Sequence, residues 1–260
     1  MADSYPYGLR SHLAAGGEAA IMQGGWRLSI PAGPAGQYRL AQLDDYHTLS
    51  RGGFPHRPPL QLSLEYRASA VSLPGTWGFG LWNDPFSLSL GLGGGTRRFP
   101  ALPNTAWFFN ASSPNYLSLR DDLPAVGQLA ATFHSPAPPS ILLALAAPLL
   151  PVLLLPPLGR LARRLGRRMI RQAATELAPD PTGWHTFRLI WEAQQVIFWI
   201  DEQQVLATGV SPAGPLGLVL WIDNQYAALP PDGRLGYGTL ANPQPAWIEV
   251  RRLEIAPLAG

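Results

Sequence analysis

Short stretches of alternating apolar and polar residues run through most of the chain. The clearest is LQLSLEYRASAVSL at 60–73, in which Leu60, Leu62, Leu64 and Tyr66 fall on one side of an extended backbone. A period of two residues is typical of a half-buried antiparallel strand. Similar patterns predict strands in WRLSI, QYRLAQL, TWGFGLWN, FSLSLGL, TAWFFNA, NYLSLR, WHTFRLIWEA, QVIFWIDE, QVLATGV, LGLVLWIDNQ and AWIEVRRLEI.

Turn residues separate these stretches, and the 28 prolines and 27 glycines are spread along the chain. Pro74 and Gly75 predict a hairpin between the strand at 60–73 and TWGFGLWN. WHTFRLIWEA, QVIFWIDE and QVLATGV predict a meander. Many short, regularly spaced strands indicate an all-β fold, an antiparallel jelly-roll sandwich.

One segment breaks the pattern. Residues 139–178 begin as an apolar run and then become rich in arginine. We predict an inserted α-helical hairpin between two strands of one sandwich. The domain organisation is then an N-terminal extension at 1–25, a β-sandwich domain at 26–138 and 179–260, and the helical insert at 139–178.

The first half of the insert has the length of a transmembrane span, because residues 140–158 carry no charge over 19 positions. Prolines at 148, 151, 156 and 157 interrupt it, however, and each removes a helical hydrogen bond. A single crossing would also divide the sandwich between the two sides of a bilayer. The pattern therefore favours a hairpin that dips into a membrane interface.

The second half, residues 160–178, predicts an amphipathic helix. Leu161, Leu165, Met169 and Ala173 recur every four residues beside six arginines, as in helices that lie on anionic membranes. A buried helical hairpin covering one sheet, an oligomer interface and a lid over a hydrophobic ligand pocket are the alternatives. The residues predicted to contact a membrane are Leu142, Leu149, Leu153, Arg160, Arg163, Arg164, Arg167, Arg168 and Arg171.

Composition narrows the classes of function. The chain has no cysteine, which excludes disulfides, thiol catalysis and cysteine-bound zinc. The net charge of +2 is small and no nucleic-acid-binding motif is present, so no nucleic-acid partner is expected. The N-terminal residues lack the pattern of a secretory signal, which predicts a cytoplasmic protein, attached peripherally to the inner face of the membrane if the insert binds there.

The segment GWHTFRLIWEAQQVIFWIDEQQVLAT resembles the closing strands of glycoside hydrolase family 16, in the concanavalin A-like lectin/glucanase superfamily. The matching residues are Trp184, His185, Phe187, Trp191 and, in FWIDE, Asp201. PLGLVLWIDN, AWIEVRRLEI and LEYRASAVSLPGTWGFGLWND extend the resemblance to about 200 residues. It implies a concanavalin A-like jelly roll with a ligand cleft on its concave face.

The same resemblance argues against family 16 hydrolysis. Those enzymes carry Glu-x-Asp-x-Glu on one strand, which brings the nucleophile and the acid/base close together. In this chain no two acidic residues stand at positions i and i+2. Where the active strand is expected, the chain reads NTAWFFNASSPN, with Trp107, Phe109 and Asn110 in place of acids.

Aromatic and amide residues are the candidates for binding a ligand, because indole and phenol rings stack on sugars and on apolar molecules. The alternative for each tryptophan is a place in the core between the sheets. The predicted ligand-binding residues are Trp77, Trp82, Asn83, Trp107, Asn110, Trp221, Asn224 and Tyr226.

If the cleft retained catalysis, its first suspects would be Asp84, Asp223, His47 and Glu65. Neighbouring acids at 44–45 and 121–122 suggest solvated turns rather than a calcium site. No metal and no cofactor is predicted.

The leading hypothesis is a non-hydrolytic binding protein that holds a carbohydrate, a glycolipid or another amphiphile in its cleft at a membrane surface. The first alternative is an enzyme with altered chemistry, such as a lyase, isomerase or hydrolase, with the insert as its lid. The second is a structural subunit that assembles as an oligomer or in a membrane complex through the insert.

Overall fold

Two seven-stranded antiparallel sheets form most of the computed structural model, which describes residues 6–85, 101–137 and 154–258. The strands are β1 (Arg10–Ala14), β2 (Glu18–Met22), β3 (Gly25–Ile30), β4 (Leu40–Asp44), β5 (Leu60–Ala68), β6 (Thr76–Trp82), β7 (Thr105–Ala111), β8 (Gly127–His134), β9 (Arg171–Glu176), β10 (His185–Trp191), β11 (Val196–Ile200), β12 (Gln203–Thr208), β13 (Gly217–Asp223), β14 (Gln225–Ala228), β15 (Gly236–Thr239) and β16 (Ala246–Pro257).

Sheet I has the order β1-β4-β13-β6-β7-β8-β9, and sheet II the order β12-β11-β10-β5-β16-β3-β2. β14 and β15 form a separate two-stranded sheet. The described residues also contain helix α1 (Pro156–Met169) and short 3-10 helices at Pro6–Gly8 and Arg51–Gly53. This is the predicted jelly-roll sandwich.

The main core lies between the two sheets. Leu60, Leu62, Leu64 and Tyr66 of β5 all point into it, which confirms the face predicted from their alternation. From sheet I, Phe79 packs against the Tyr66 ring with 5.3 Å between centroids. Burying a large apolar side chain contributes roughly 1.5–3 kcal/mol, so this alternation determines how each strand lies in the sandwich.

Sheet I is also covered on its outer face. Strands β7 and β13 are buried at all seven of their positions. A second apolar cluster on the outer face accounts for this, and it includes Tyr46, Phe54, Trp107 and Phe133. The face on which the sequence places a ligand cleft is therefore largely filled by the protein itself.

Several predicted strands and turns differ from the structure. The meander β10-β11-β12 is confirmed. NYLSLR forms only one isolated bridge, at Tyr116, because its side chains pack against the outer face of sheet I. Pro74 and Gly75 connect strands of different sheets, β5 and β6, and so do not form a hairpin. FSLSLGL lies outside the described residues.

The ends of the sandwich also differ from the prediction. β1 pairs with β4 and β2 with β3, so these N-terminal residues are edge strands of both sheets rather than an extension. Helix α1 ends at Met169, and β9 (Arg171–Glu176) pairs with β8. The helical period at 160–178 thus stops where Gln172 and Ala174 turn towards the outer face. Residues 139–153, the other half of the predicted hairpin, lie outside the described residues.

Candidate functional site

Three tryptophans from neighbouring strands meet on the outer face of sheet I. Trp82 ends β6, Trp107 lies in β7 and Trp221 in β13. Their ring centroids are 6.0 Å apart for Trp82 and Trp107, 5.6 Å for Trp107 and Trp221, and 6.5 Å for the nearly parallel rings of Trp82 and Trp221. The structure thus brings together three residues that the sequence predicts to bind a ligand, and we call them the tryptophan wall.

Two glycines of β6 leave room for this wall. Gly80 lies opposite Trp107, and Gly78 lies opposite both Phe109 and Trp221. A Cβ atom on Gly80 would lie 2.5 Å from the Cα and Cβ atoms of Trp107, and one on Gly78 would lie 2.7 Å from the Cα of Phe109. The repeated glycine in WGFG is therefore a packing requirement of the aromatic strand beside it.

The three indole Nε1 groups of the wall differ in their hydrogen bonding. Trp221 Nε1 donates a hydrogen bond to Thr76 Oγ1 at 2.9 Å. Within the described part of the chain, Trp82 Nε1 and Trp107 Nε1 are buried and have no acceptor. Trp107 and Trp221 are only 7% and 8% exposed, and Trp82 is half-buried. The wall is thus apolar and narrow, with two unused donors.

Asp223 closes one end of this face. Its Oδ1 accepts hydrogen bonds from Thr76 Oγ1 at 2.9 Å, from Thr76 N and from Gln225 N, and its Oδ2 accepts one from Tyr38 OH at 3.4 Å. Burial raises the pKa of Asp223 to about 7, although these hydrogen bonds favour the charged form. Both carboxylate oxygens are occupied by donors of the protein.

Asp44 lies at the other end and is fully buried, not a solvated turn acid as the sequence suggests. Its Oδ1 accepts hydrogen bonds from the backbone of Tyr46 and His47, and its Oδ2 accepts one from Gln42 Nε2 at 2.8 Å. Burial raises its pKa. The His47 ring lies 4.8 Å from that of His12, and burial lowers the pKa of His12, helped by the nearby His47.

These two acids do not form a catalytic pair. Asp223 lies opposite Leu40 in the sheet, and Asp44 is four residues further along β4, a separation of about 14 Å along the strands. Glycosidases need their two carboxyl groups roughly 5 to 9.5 Å apart. The His47 ring does not complete a pair with Asp44, since its Nδ1 lies 3.9 Å from Asp44 Oδ2, beyond hydrogen-bonding distance.

The other predicted ligand-binding residues lie outside the tryptophan wall. Trp77 and Asn110 point away from the wall, towards the space between the sheets, because side chains alternate along β6 and β7. Asn83 holds the backbone at Leu102 and Asn104. Asn224 binds backbone atoms of Gln37, Arg39 and Leu240. Tyr226 lies on the two-stranded sheet opposite Gly238.

The suspected catalytic residues are dispersed. Glu65 lies on the outer face of sheet II, the far side of the sandwich, and pairs with Arg251 and Arg252. Asp84 follows β6 with a positive φ of 48°, and its own backbone carbonyl accepts a hydrogen bond from Arg51 Nη2. Only Asp223 lies beside the tryptophan wall, and His47 is at the opposite end with Asp44.

Helix α1 docks on the sandwich through glycine and arginine. A Cβ atom on Gly159 would lie 2.0 Å from the carbonyl oxygen of Gly233, so only glycine allows this approach. Arg163 is 5% exposed, and its Nη1 donates to the carbonyls of Ser118 at 2.5 Å and Leu229 at 2.7 Å. Its Nη2 contacts Asp121 Oδ1 at 2.5 Å. Arg163 is therefore an anchor, and its prediction as a membrane contact is wrong.

The apolar stripe of α1 faces solvent. Leu161, Leu165 and Met169 are 48%, 49% and 45% exposed, and Leu154 and Leu155 before the helix are also exposed. At 100° per residue, the three helical stripe residues lie within about 80° of one another. The exposed arginines Arg160, Arg164, Arg167 and Arg168 occupy a second sector of the helix.

The remaining predicted membrane contacts have other positions. Arg171 begins β9, opposite His134, and so belongs to the sandwich. Leu142, Leu149 and Leu153 lie outside the described residues. No helix in the described ranges is both long enough and apolar enough to cross a bilayer. The same ranges contain no group of three metal-binding side chains.

Sequence reasoning missed Gln42, Thr76 and Tyr38, and it placed Asp44 in a solvated turn, whereas these four residues hold the two ends of the face. The alternation in LAQLD was available as a signal, since it places Gln42 and Asp44 on the side opposite Ala41 and Leu43. The link between Thr76 and Asp223 joins residues 147 positions apart, and no local pattern predicts it.

Solved structures similar to this chain include lectin-like domains and glucanases. A legume lectin-like domain from Entamoeba histolytica is 10% identical, with 96% of this chain and 90% of that chain covered and a TM-score of 0.47. A glycoside hydrolase family 16 endo-glucanase from Bacteroides ovatus is 11% identical, with 94% and 86% covered and a TM-score of 0.48. LamAcat from Zobellia galactanivorans is 13% identical, with 91% and 79% covered and a TM-score of 0.48.

At such low identity these similarities concern the fold alone. No protein-family model matches the sequence, and no relative is found among curated proteins.

Proposed function

We propose that this chain is a non-hydrolytic binding protein that works at an anionic membrane surface. It lies on the cytoplasmic face and holds a carbohydrate, a glycolipid or another amphiphile on the outer face of sheet I. The observation that carries the proposal is the orientation of α1, which buries Gly159 and Arg163 and exposes Leu161, Leu165 and Met169.

The exposed surface of α1 has the two parts that an interfacial helix needs. Its leucines and methionine offer apolar side chains, each worth roughly 1 kcal/mol when its exposed half is buried among acyl chains. Its exposed arginines offer positive charge, worth about 1 kcal/mol each at an anionic surface. A surface helix of a soluble protein usually turns such a stripe inwards. In α1, by contrast, the side that packs against the sandwich consists of glycines and one arginine, and the apolar stripe faces solvent.

The arrangement of acids supports binding without hydrolysis. Asp223 and Asp44 lie at opposite ends of the face, and Glu65 lies on the far side of the sandwich. The centre of the face is the tryptophan wall, a surface suited to stacking on a ring or packing against a chain.

Vesicle flotation tests the membrane contact. Wild type is expected to float with vesicles of phosphatidylcholine and phosphatidylglycerol at low salt. The double variant Arg164→Gln, Arg168→Gln is expected to bind about thirtyfold more weakly, since two charges of about 1 kcal/mol each are lost. Its matched control is Arg10→Gln, Arg57→Gln, which removes two exposed arginines from the sandwich. High salt should lower the vesicle affinity of the wild type until it approaches that of the double variant, because salt screens the arginine charges.

The stripe is tested separately with Leu161→Gln, Leu165→Gln, which alters exposed side chains and so leaves the fold intact. Binding should fall in this variant on both anionic and neutral vesicles. The proposal is wrong if wild type stays with the soluble fraction, or if the control variant loses as much binding as the helix variants. A dimer that the leucine changes convert to a monomer, together with no vesicle binding, would assign the stripe to a second copy of the chain.

A further inference from the structure

The centre of the outer face of sheet II is built from charged residues. The register of β3, β16 and β5 puts Arg27, Glu249 and Arg67 in one row across the three strands. Glu249 is 1% exposed and accepts hydrogen bonds from Arg27 Nε at 2.8 Å and from Arg67 Nε at 2.7 Å. Burial opposes its ionisation, but hydrogen bonds from the two guanidinium groups hold its pKa below the usual value. The row is therefore a buried anion between two cations whose side chains remain 40% and 34% exposed.

The neighbouring outward-facing row repeats this arrangement around Glu65. Arg251 lies opposite Glu65, and its Nε donates to Glu65 Oε2 at 2.6 Å. Arg252 follows at an irregularity of β16, binds the other carboxylate oxygen and is 74% exposed. Burial opposes the ionisation of Glu65, but the hydrogen bonds from both arginines lower its pKa. Four positive charges thus surround two negative ones, and the centre of this face is cationic.

Tryptophan rings hold the guanidinium groups in place. The Cζ atoms of Arg251 and Arg67 lie 4.0 Å and 4.8 Å from the ring centroid of Trp184. Trp247 contacts Arg27 at 4.6 Å and Arg67 at 5.6 Å in the same way. These cation–π contacts restrict side chains that would otherwise sample many rotamers. The arginines are therefore ordered before a partner arrives, which lowers the entropic cost of binding.

Much of the hydrogen-bonding capacity of these arginines is unused. A guanidinium group has five N–H donors. Within the part of the chain that the structure describes, Nη1 of Arg27, Nη1 of Arg67 and both Nη atoms of Arg251 have no acceptor. On the adjacent strands Arg188 stacks on Trp199 at 4.8 Å and has no ion pair among the same residues. The face thus presents accessible donors in the planar geometry that matches carboxylate oxygens.

The dimensions of this face suit a peptide segment. From Arg27 on β3 to Trp199 on β11 there are four strand spacings, or about 19 Å. From Arg67 to Ser63, which lies opposite Arg188, the distance along β5 is about 13 Å. The resulting area of about 250 Å² is well below the roughly 800 Å² that each partner contributes to a standard interface. It matches an extended segment of about six residues.

We propose that the outer face of sheet II is a docking surface for an acidic peptide segment of another protein. Tryptophan and arginine are the residues that dominate binding energy in protein interfaces, and the positive charge of this face selects an acidic partner. The rings of Trp184 and Trp247 already stack with two arginines each, which leaves little ring surface for nucleobases.

The position of the face keeps it open to a soluble partner. Helix α1 lies on the other side of the sandwich, where Gly166 faces Leu119 of the cluster that covers sheet I. A membrane bound by α1 therefore does not compete with a peptide on sheet II. The inference goes beyond the proposed function and does not depend on it.

Fluorescence anisotropy of a labelled short peptide of alternating glutamate and alanine, added to the full chain at low salt, tests the proposal. Wild type should bind it saturably. The double variant Arg188→Gln, Arg252→Gln should bind about tenfold more weakly, because two cations are lost. Neither change strands a buried carboxylate, since Glu65 keeps Arg251. Glu254→Gln removes an exposed acid opposite Ser63 on the same face and should bind about threefold more tightly.

Two matched controls remove the same charge elsewhere. Arg10→Gln, Arg57→Gln alters exposed arginines away from this face, and Arg164→Gln, Arg168→Gln alters exposed arginines of α1. Both should bind the peptide within about twofold of wild type. Thermal unfolding of each variant checks that the fold is retained.

Four results would overturn the inference. They are no peptide binding by wild type, equal binding of a peptide with glutamine in place of glutamate, an equal loss of affinity in either control, and tighter binding of heparin or of single-stranded oligothymidylate than of the peptide. The last result would assign the face to an acidic glycan or to nucleic acid. Vesicle flotation separates this inference from the proposed function, because the Arg188→Gln, Arg252→Gln variant should float as wild type does.

Discussion

Replacing Arg163 by alanine is expected to release helix α1 from the sandwich at a cost of about 3 kcal/mol. The guanidinium group is almost completely buried and binds the carbonyls of Ser118 and Leu229, which would lose a charged donor. Asp121 is 54% exposed, so its ion pair with Arg163 is screened by water and contributes less. Most of the effect therefore comes from the two carbonyls.

Limited trypsin digestion measures this release, because α1 contains several arginines and a docked helix resists cleavage. A loss of about 3 kcal/mol should speed cleavage within 156–169 by roughly a hundredfold when opening is faster than cutting. Arg164→Ala is the matched control, since it removes one trypsin site from the same helix but alters an exposed side chain. Equal cleavage rates in the two variants would contradict the role of Arg163 as the anchor.

Asp223→Asn should make the protein more stable at alkaline pH. Burial raises the pKa of Asp223 from 3.8 to about 7, so the folded state keeps a proton that the unfolded state has lost between these values. More protons bound in the folded state mean that stability falls as pH rises from about 4 to 7. About three pKa units correspond to roughly 4 kcal/mol, which is the upper limit for the gain from Asn at pH 8.

The amide preserves most of the local contacts, since its oxygen still accepts from Thr76 and its nitrogen can donate to Tyr38. Urea unfolding at several pH values should show no stabilisation near pH 4 and the full effect at pH 8. Asp201→Asn is a control of opposite sign. Burial opposes its ionisation, but hydrogen bonds from His185 and the backbone of Thr186 hold its pKa below the usual value. That variant should lose stability at neutral pH and match wild type in acid, and a flat difference for Asp223→Asn would contradict the buried acid.

The placement of the acids bears on any remaining catalysis. A pair that performs acid and base chemistry needs two groups close to one substrate atom. Asp223 has a pKa suited to proton transfer near pH 7, but Asp44 lies about 14 Å away along the strands. These two acids therefore do not meet at one substrate atom.

The alternation of residues predicts much of the sandwich. In β5 and β10 the inner positions are mostly apolar and the outer ones mostly polar, so period two is visible and their burial follows it. In β7 and β13 both faces are buried, and TAWFFNA and GLVLWID show no clean alternation. The sequence still indicates strands there, but it cannot assign Trp77 and Trp107 to opposite faces without the register of the sheet.

The insert shows the same division. Its spacing correctly places Leu161, Leu165 and Met169 on one side of a helix, because that follows from 3.6 residues per turn. The predicted end of the helix is wrong, because residues 171–176 form β9, which is stabilised by pairing with β8, a strand distant in sequence. Which side faces the protein also depends on distant residues, Gly233 and Asp121.

The sequence by itself determined that this chain is an antiparallel sandwich, that its expected active strand lacks paired acids, and that its helix carries a leucine stripe beside arginines. All three depend on the identity of residues within a few positions of one another. The tertiary structure alone decided that the tryptophan wall forms, that Asp44 and Asp223 stand apart and that Arg163 is buried while the leucines are exposed. These follow from contacts between strands and loops far apart in the chain, where packing and hydrogen bonding outweigh any local preference.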